Sequence, residues 1–161
     1  MVHTGPGPVI PNLVSWTENS LSAIYKAKTD AEFETAFKDF VADDARITVN
    51  GKHFTRQQYK ERLQAAKGTT LATPELTFND AIEVPSNQDH PTAAGSVGLY
   101  YHAIVYHPFK VHDAFASSTI TSSLNVQIAD LNPVESAYPV RRGVVFDEVV
   151  VEQANDEVRS S

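Results

Sequence analysis

The chain has 161 residues, 42% hydrophobic and 20% charged, which suits one globular domain with one sizeable core. A net charge of −7 speaks against a nucleic-acid groove, which needs clustered Lys and Arg. With no cysteine, disulfides, a thiolate nucleophile and Cys-type zinc sites are excluded.

In chain order, residues 1–14 carry Pro6, Pro8 and Pro11 with Gly5 and Gly7 and read as a flexible arm. They lack the basic and apolar regions of a leader, and no apolar run in the chain approaches membrane-spanning length. A cytoplasmic protein without a membrane partner is expected. Three capped helices follow over residues 15–68. Ser15 and Glu18 form a capping-box pattern ahead of Leu21, Ile24 and Tyr25, and Thr29 and Glu32 repeat it ahead of Phe33, Phe37, Phe40 and Val41. Ile47 and Val49 alternate with Arg46 and Thr48 up to Asn50-Gly51, predicting a hairpin with a type I′ turn from Arg46 to Phe54. Thr55 caps the third helix, whose stripe is Tyr59, Leu63 and Ala66, with Gly68 placed for a left-handed end.

Four strands are predicted over Glu75–Val84, Gly95–His107, Phe115–Ala129 and Arg141–Glu152. The turn-rich stretches Pro85–Pro91 and Asn132–Pro139 connect them, and residues 153–161 read as a polar tail. Helices first and strands afterwards imply an α+β cone: three N-terminal helices across one face of a strongly curved, mostly antiparallel sheet, enclosing a pocket.

Several residues in these strands carry chemistry. Alternation puts Asp80 on the face of Leu76, Phe78, Ile82 and Val84, where desolvation would suit it to proton transfer; a β-bulge at Asn79-Asp80 is the competing reading. Tyr101 shares the more apolar face with Val97, Leu99, Ala103 and Val105, which sends His102 outward with Tyr100 and Tyr106 to an aromatic face suited to packing or pairing. His102, His107 and His112, five residues apart, alternate faces and cannot converge on a metal. Pro108 is expected to end or bend its strand, leaving His107 and His112 in a loop. Of Asp147-Glu148, one acid must share a face with apolar neighbours and parity alone does not choose between them; Glu148 shares a face with Val144, Phe146 and Val150, with Arg142 available as a cross-strand ion-pair partner. Ser117, Thr119, Thr121, Ser123, Asn125 and Gln127 form a polar outer face, with Ile120, Leu124, Val126 and Ile128 turned inward. No phosphate loop, nucleophile elbow, zinc-helix motif or dinucleotide fingerprint is present, so no cofactor is expected.

The stretch from Tyr25 through Phe33, Phe37 and Phe40 to Asp43-Asp44-Ala45-Arg46-Ile47, then Asn50-Gly51-Lys52 and the helix of Tyr59, resembles the nuclear-transport-factor-2-like superfamily, which includes the SnoaL-like cyclases, ketosteroid isomerase and scytalone dehydratase. The resemblance covers roughly Ser15 to Glu152. It implies a cofactor-free isomerase, cyclase or dehydratase acting on a small apolar carbonyl compound, of polyketide or terpenoid kind. Tyr25 matches the spacing of the isomerases' oxyanion tyrosine, but Val49 and Asn50 stand where their base lies, and Phe115–Ala129 lacks their second acid. The expected catalytic residues are Asp80 for the proton, Tyr25 and Tyr101 for the oxyanion, and His102. Phe37, Tyr59, Phe78, Ile120, Leu124 and Phe146 are expected to line the ligand. A homodimer paired through the sheet face is also implied. The alternatives are a carrier of a hydrophobic small molecule and a dimeric interaction module.

Overall fold

The computed structural model of the chain describes residues 10–67, 72–132 and 138–155. The first two helices, α1 (Leu13–Tyr25) and α2 (Asp30–Phe40), run straight into strand β1 (Val41–Val49), which turns back as β2 (Lys52–Phe54) before α3 (Arg56–Ala66). The long strands β3 (Glu75–Pro85), β4 (Gly95–Val111), β5 (Ala114–Asp130) and β6 (Arg141–Ala154) complete one mixed sheet in the order β2-β1-β6-β5-β4-β3. Every neighbouring pair is antiparallel except β1 and β6, which run parallel. The fold is the expected α+β arrangement, with this one parallel pair as its departure from an antiparallel sheet.

Local chemistry explains the helix boundaries. Thr29 and Thr55 each accept from the backbone N–H three residues on, while Glu32 and Gln58 reach back to the cap. At α1 the cap is Asn12, whose Oδ1 accepts from Ser15 N at 2.7 Å, so the helix starts ahead of the expected Ser15 box. Gly68, residues 1–9 of the arm and residues 156–161 of the tail lie outside the described residues. The Asn50-Gly51 turn has the expected positive φ values of 51° and 79°.

Pro108 does not end β4. The strand absorbs it in a register shift between Tyr106 and Lys110 and continues to a second tight turn, where His112 and Asp113 have φ of 49° and 65°. His107 therefore sits in the strand, bonded to Ser118 at 2.8 Å.

The core lies between the helices and the inner sheet face. Leu21, Ile24, Phe33, Phe37, Phe40 and Leu63 from the helices meet Ile47, Leu99, Ile120, Leu124, Val126 and Phe146 from the strands, all buried. Phe40 meets Phe146 edge to face at 5.1 Å between ring centres. Phe146 can lie flat against its own strand because Gly143 has no Cβ; a methyl there would collide with the ring. The polar ladder of β5 faces outward with the aliphatic file inward, as the alternation predicted. Among the described residues no helix is long and apolar enough to cross a membrane.

Candidate functional site

Alternation along β6 turns Phe146, Glu148 and Val150 inward and Asp147, Val149 and Val151 outward. Glu148 is thereby a carboxylate inside an apolar core, only 1% exposed. Isolated, such a charge would be costly. Three hydroxyls offset that cost: Ser122 Oγ donates to Oε2 at 2.5 Å, Tyr101 OH to Oε2 at 3.4 Å and Tyr59 OH to Oε1 at 3.2 Å. Tyr25 OH lies 3.3 Å from Tyr101 OH. Because Tyr101 has one proton and gives it to Glu148, Tyr25 is the donor to Tyr101. The result is a directed chain from Tyr25 on α1, through Tyr101 on β4, to Glu148 on β6.

Burial pushes the Tyr25 phenol up to about 12 and holds Tyr59 and Tyr101 well above the usual phenol range, with the negative charge of Glu148 adding to each. All three are therefore protonated donors at neutral pH. Arg62, one turn beyond Tyr59 on α3, supplies the positive charge. Its Nη1 stands 3.9 Å from Oε1 of Glu148, close enough for attraction and too far for a hydrogen bond.

The structure brings together part of the expected constellation. Tyr25 and Tyr101 are joined directly, and Tyr59 is a hydrogen-bond donor as well as a core ring. Phe37, Ile120, Leu124 and Phe146 are buried around them, while Phe78 is partly buried and packs on Tyr101 at 5.9 Å between ring centres. Asp80 is not brought in. The register of β3 against β4 shifts between Phe78 and Asp80, so Phe78 opposes the inward Tyr101 whereas Asp80 opposes the outward Tyr100. The bulge turns Asp80, Ile82 and Val84 out, and all three are exposed. His102 is likewise on the outer face, bonded to Thr121 Oγ1 at 3.1 Å and edge-on to Tyr100.

Glu148, Ser122 and Arg62 were absent from the expected site. Arg142, the anticipated partner of Glu148, pairs instead with Asp39 at 3.6 Å. Two signals pointed to the missing residues. Glu148 interrupts the inward file Phe146, Glu148, Val150, and Ser122 interrupts Ile120, Ser122, Leu124 on the strand beside it. Leu124 is the register partner of Glu148, and Ser122 that of Val150, so the two breaks are neighbours across the sheet. No signal in one strand alone announces Arg62, whose partner is brought by the fold. Among the described residues no three His, Asp or Glu side chains gather as a metal site would require.

No family model matches the chain, and no curated protein matches it. Solved structures do. A protein from Xanthomonas campestris, named provisionally for the calcium/calmodulin dependent protein kinase II association domain, superposes with a TM-score of 0.57 at 11% identity over 98% of this chain and 100% of its own. An NTF2-like protein of unknown function in nutrient uptake from Rhodospirillum rubrum gives 0.51 at 16%, covering 86% of this chain and 98% of that one. A conserved protein from Planctomyces limnophilus gives 0.52 at 9%, covering 86% and 94%. At these identities the likeness is one of fold. The chain has the NTF2-like fold that its sequence resembles.

Proposed function

We propose that the inner sheet face around Glu148 is the site of cofactor-free proton transfer on a small apolar molecule bearing a carbonyl group, the chemistry of an isomerase, cyclase or dehydratase. The observation that carries this reading is the state of Glu148: a buried carboxylate held by three hydroxyls, with its nearest cation beyond hydrogen-bond distance. A purely structural ion pair in a core is expected to close its hydrogen bonds. Here the carboxylate is oriented by hydroxyls and keeps acceptor capacity on Oε1, the arrangement a proton-transfer group needs. Glu148 takes the role first expected of Asp80. Ser122, Tyr59 and Tyr101 fix its orientation, and the rings of Phe37, Phe78 and Phe146 with Ile120 and Leu124 favour an apolar ligand.

The test is deuterium exchange. A panel of small ketones and enones is incubated with the protein in D2O, and α-proton loss is followed by NMR. Exchange that depends on protein and disappears in Glu148→Gln supports the reading. Exchange that survives in that variant overturns it. A carrier without catalysis is the second reading, favoured by the same apolar lining; it predicts a retained hydrophobic molecule in native mass spectrometry and no exchange with any member of the panel.

The protein is further read as a homodimer paired through the outer sheet face. Ile82, Val84, Tyr100, Val149 and Val151 stand exposed there, with Ile82 67% and Val149 64% accessible. Ile82 and Val84 also border a hollow of ≈ 370 Å³ that reaches Asn125 and Asp147.

A further inference from the structure

Among the described residues, one buried side-chain nitrogen has no hydrogen-bond partner: Nη1 of Arg62. Native interiors satisfy the large majority of such groups, and an orphan in a core calls for an explanation. The guanidinium side chain is 23% exposed, so it spans from the surface to the interior and its orphan nitrogen lies at the inner end, beside Glu148. An oxygen acceptor is what that nitrogen lacks.

The phenols cannot receive a ligand oxygen without rearrangement. Tyr101 and Tyr59 both give their single proton to Glu148, and Tyr25 gives its proton to Tyr101. The oxyanion role expected of Tyr25 and Tyr101 therefore has no donor behind it, and Arg62 has one.

Resting on the proton-transfer reading of Glu148, we propose that Arg62 binds the carbonyl oxygen of the substrate and that the substrate is a neutral, enolisable ketone or aldehyde. The charges select this class. A ligand carboxylate placed on Arg62 would lie beside Glu148 and be repelled by it, whereas a neutral carbonyl is not. When Glu148 removes the proton next to the carbonyl, the C–H electron pair becomes the carbon–carbon double bond of an enolate and the carbonyl π pair moves onto oxygen. Glu148 loses its negative charge as the substrate oxygen gains one. Arg62 adjoins both, so the net charge of the site is constant while the anion moves from one side of the guanidinium to the other. Return of the proton from Glu148 to a different carbon completes an isomerisation without any co-reactant.

The experiment is equilibrium binding of para-nitrophenolate, an aromatic oxyanion that resembles the enolate and reports its ionisation by absorbance. It is titrated into the wild-type chain, Glu148→Gln and the double variant Glu148→Gln/Arg62→Gln, with near-ultraviolet circular dichroism checking each fold. The double variant removes both charges together, so no buried charge is stranded. Glu148→Gln, mimicking the protonated acid, is expected to bind the phenolate at least about tenfold tighter than wild type, because the like charge is gone. Adding Arg62→Gln is expected to abolish that gain. Equal affinity of the single and double variants overturns the role of Arg62; if ketone exchange still requires Glu148, the proton-transfer reading stands alone. Failure of Glu148→Gln to bind more tightly than wild type overturns the proposed charge arrangement. Ketone exchange that persists in Glu148→Gln removes both readings at once.

Discussion

Asn50 and Val150 exchange two hydrogen bonds across 100 residues of sequence: Asn50 Nδ2 donates to the Val150 carbonyl at 2.9 Å, and Val150 N donates to Asn50 Oδ1 at 2.8 Å. The Asn50 backbone N–H also donates to the Glu148 carbonyl at 2.8 Å. The side chain thus continues the β1–β6 ladder past the point where β1 turns away, and with the backbone N–H it clamps Asn50 to β6 at Glu148 and at Val150 two residues on. Asn suits the site twice, since it also tolerates the positive φ of the turn.

Asn50→Gly keeps the turn and removes the clamp, so it isolates the two side-chain bonds. Their loss is expected to cost about 1–3 kcal/mol of stability, read as a lower urea midpoint. Asn50→Ala is expected to cost more, because Ala is strained at that φ. Equal midpoints for wild type and Asn50→Gly would show that the clamp contributes nothing.

Glu148 permits a sharper comparison. Glu148→Ala strands three hydroxyls and a guanidinium in the core and is expected to lose about 3–5 kcal/mol, the range for breaking a buried pair from one side. Glu148→Gln retains acceptor oxygen and volume and is expected to lose less. Urea unfolding of both variants decides it; an Ala variant as stable as the Gln variant would mean that the hydroxyl network does not stabilise the fold.

Alkaline pH acts through the phenols. Tyr25, Tyr59 and Tyr101 have folded pKa values above the ordinary 10.0, with Tyr25 at about 12. Folding therefore favours the protonated form. This contribution is fully present below pH 10 and is lost as pH rises from 10 through 12, where the unfolded chain ionises first. Tyrosinate absorbance from these three residues should appear together with loss of circular dichroism. Ionisation of all tyrosines with the fold intact would contradict their burial.

Pairing through the outer face makes its own forecast. Val149→Lys and Ile82→Lys each put a charge into the proposed interface without touching the core, since both side chains are exposed. Sedimentation velocity should show a dimer for the wild type and a shift toward monomer for either variant. A wild-type monomer at micromolar concentration, or variants that pair unchanged, would remove this face as the contact.

Much of the fold was legible because its signals are local. Thr29 with Glu32 and Asn50 with Gly51 act over two to four residues, where the chain's own chemistry decides the outcome. Tyr101 inward and His102 outward followed from parity alone. Asp80 defeated that parity because one extra residue at the Phe78–Asp80 bulge inverts every later position of β3, the competing reading that Asn79-Asp80 had offered. Asn12 displaced Ser15 as cap because several N-capping residues stand close together and only the packing of Leu13 selects among them. The site was legible only in halves. Glu148 and Ser122 each look like an ordinary polar interruption; their meaning depends on the register of β5 against β6 and on Tyr59 reaching Glu148 from α3.

The sheet order has a further consequence, in time. β6 lies between β1 and β5 and leaves the ribosome after every other strand of the sheet. During synthesis β1 with β2, and β3 with β4 and β5, have their sequence neighbours at hand, yet the two groups have no shared strand until β6 emerges. The nascent chain thus exposes two unpaired strand edges, and Tyr59 and Tyr101 wait without Glu148, until the closing strand arrives. Emergence of β6, and not the appearance of the helices, sets when this fold first closes.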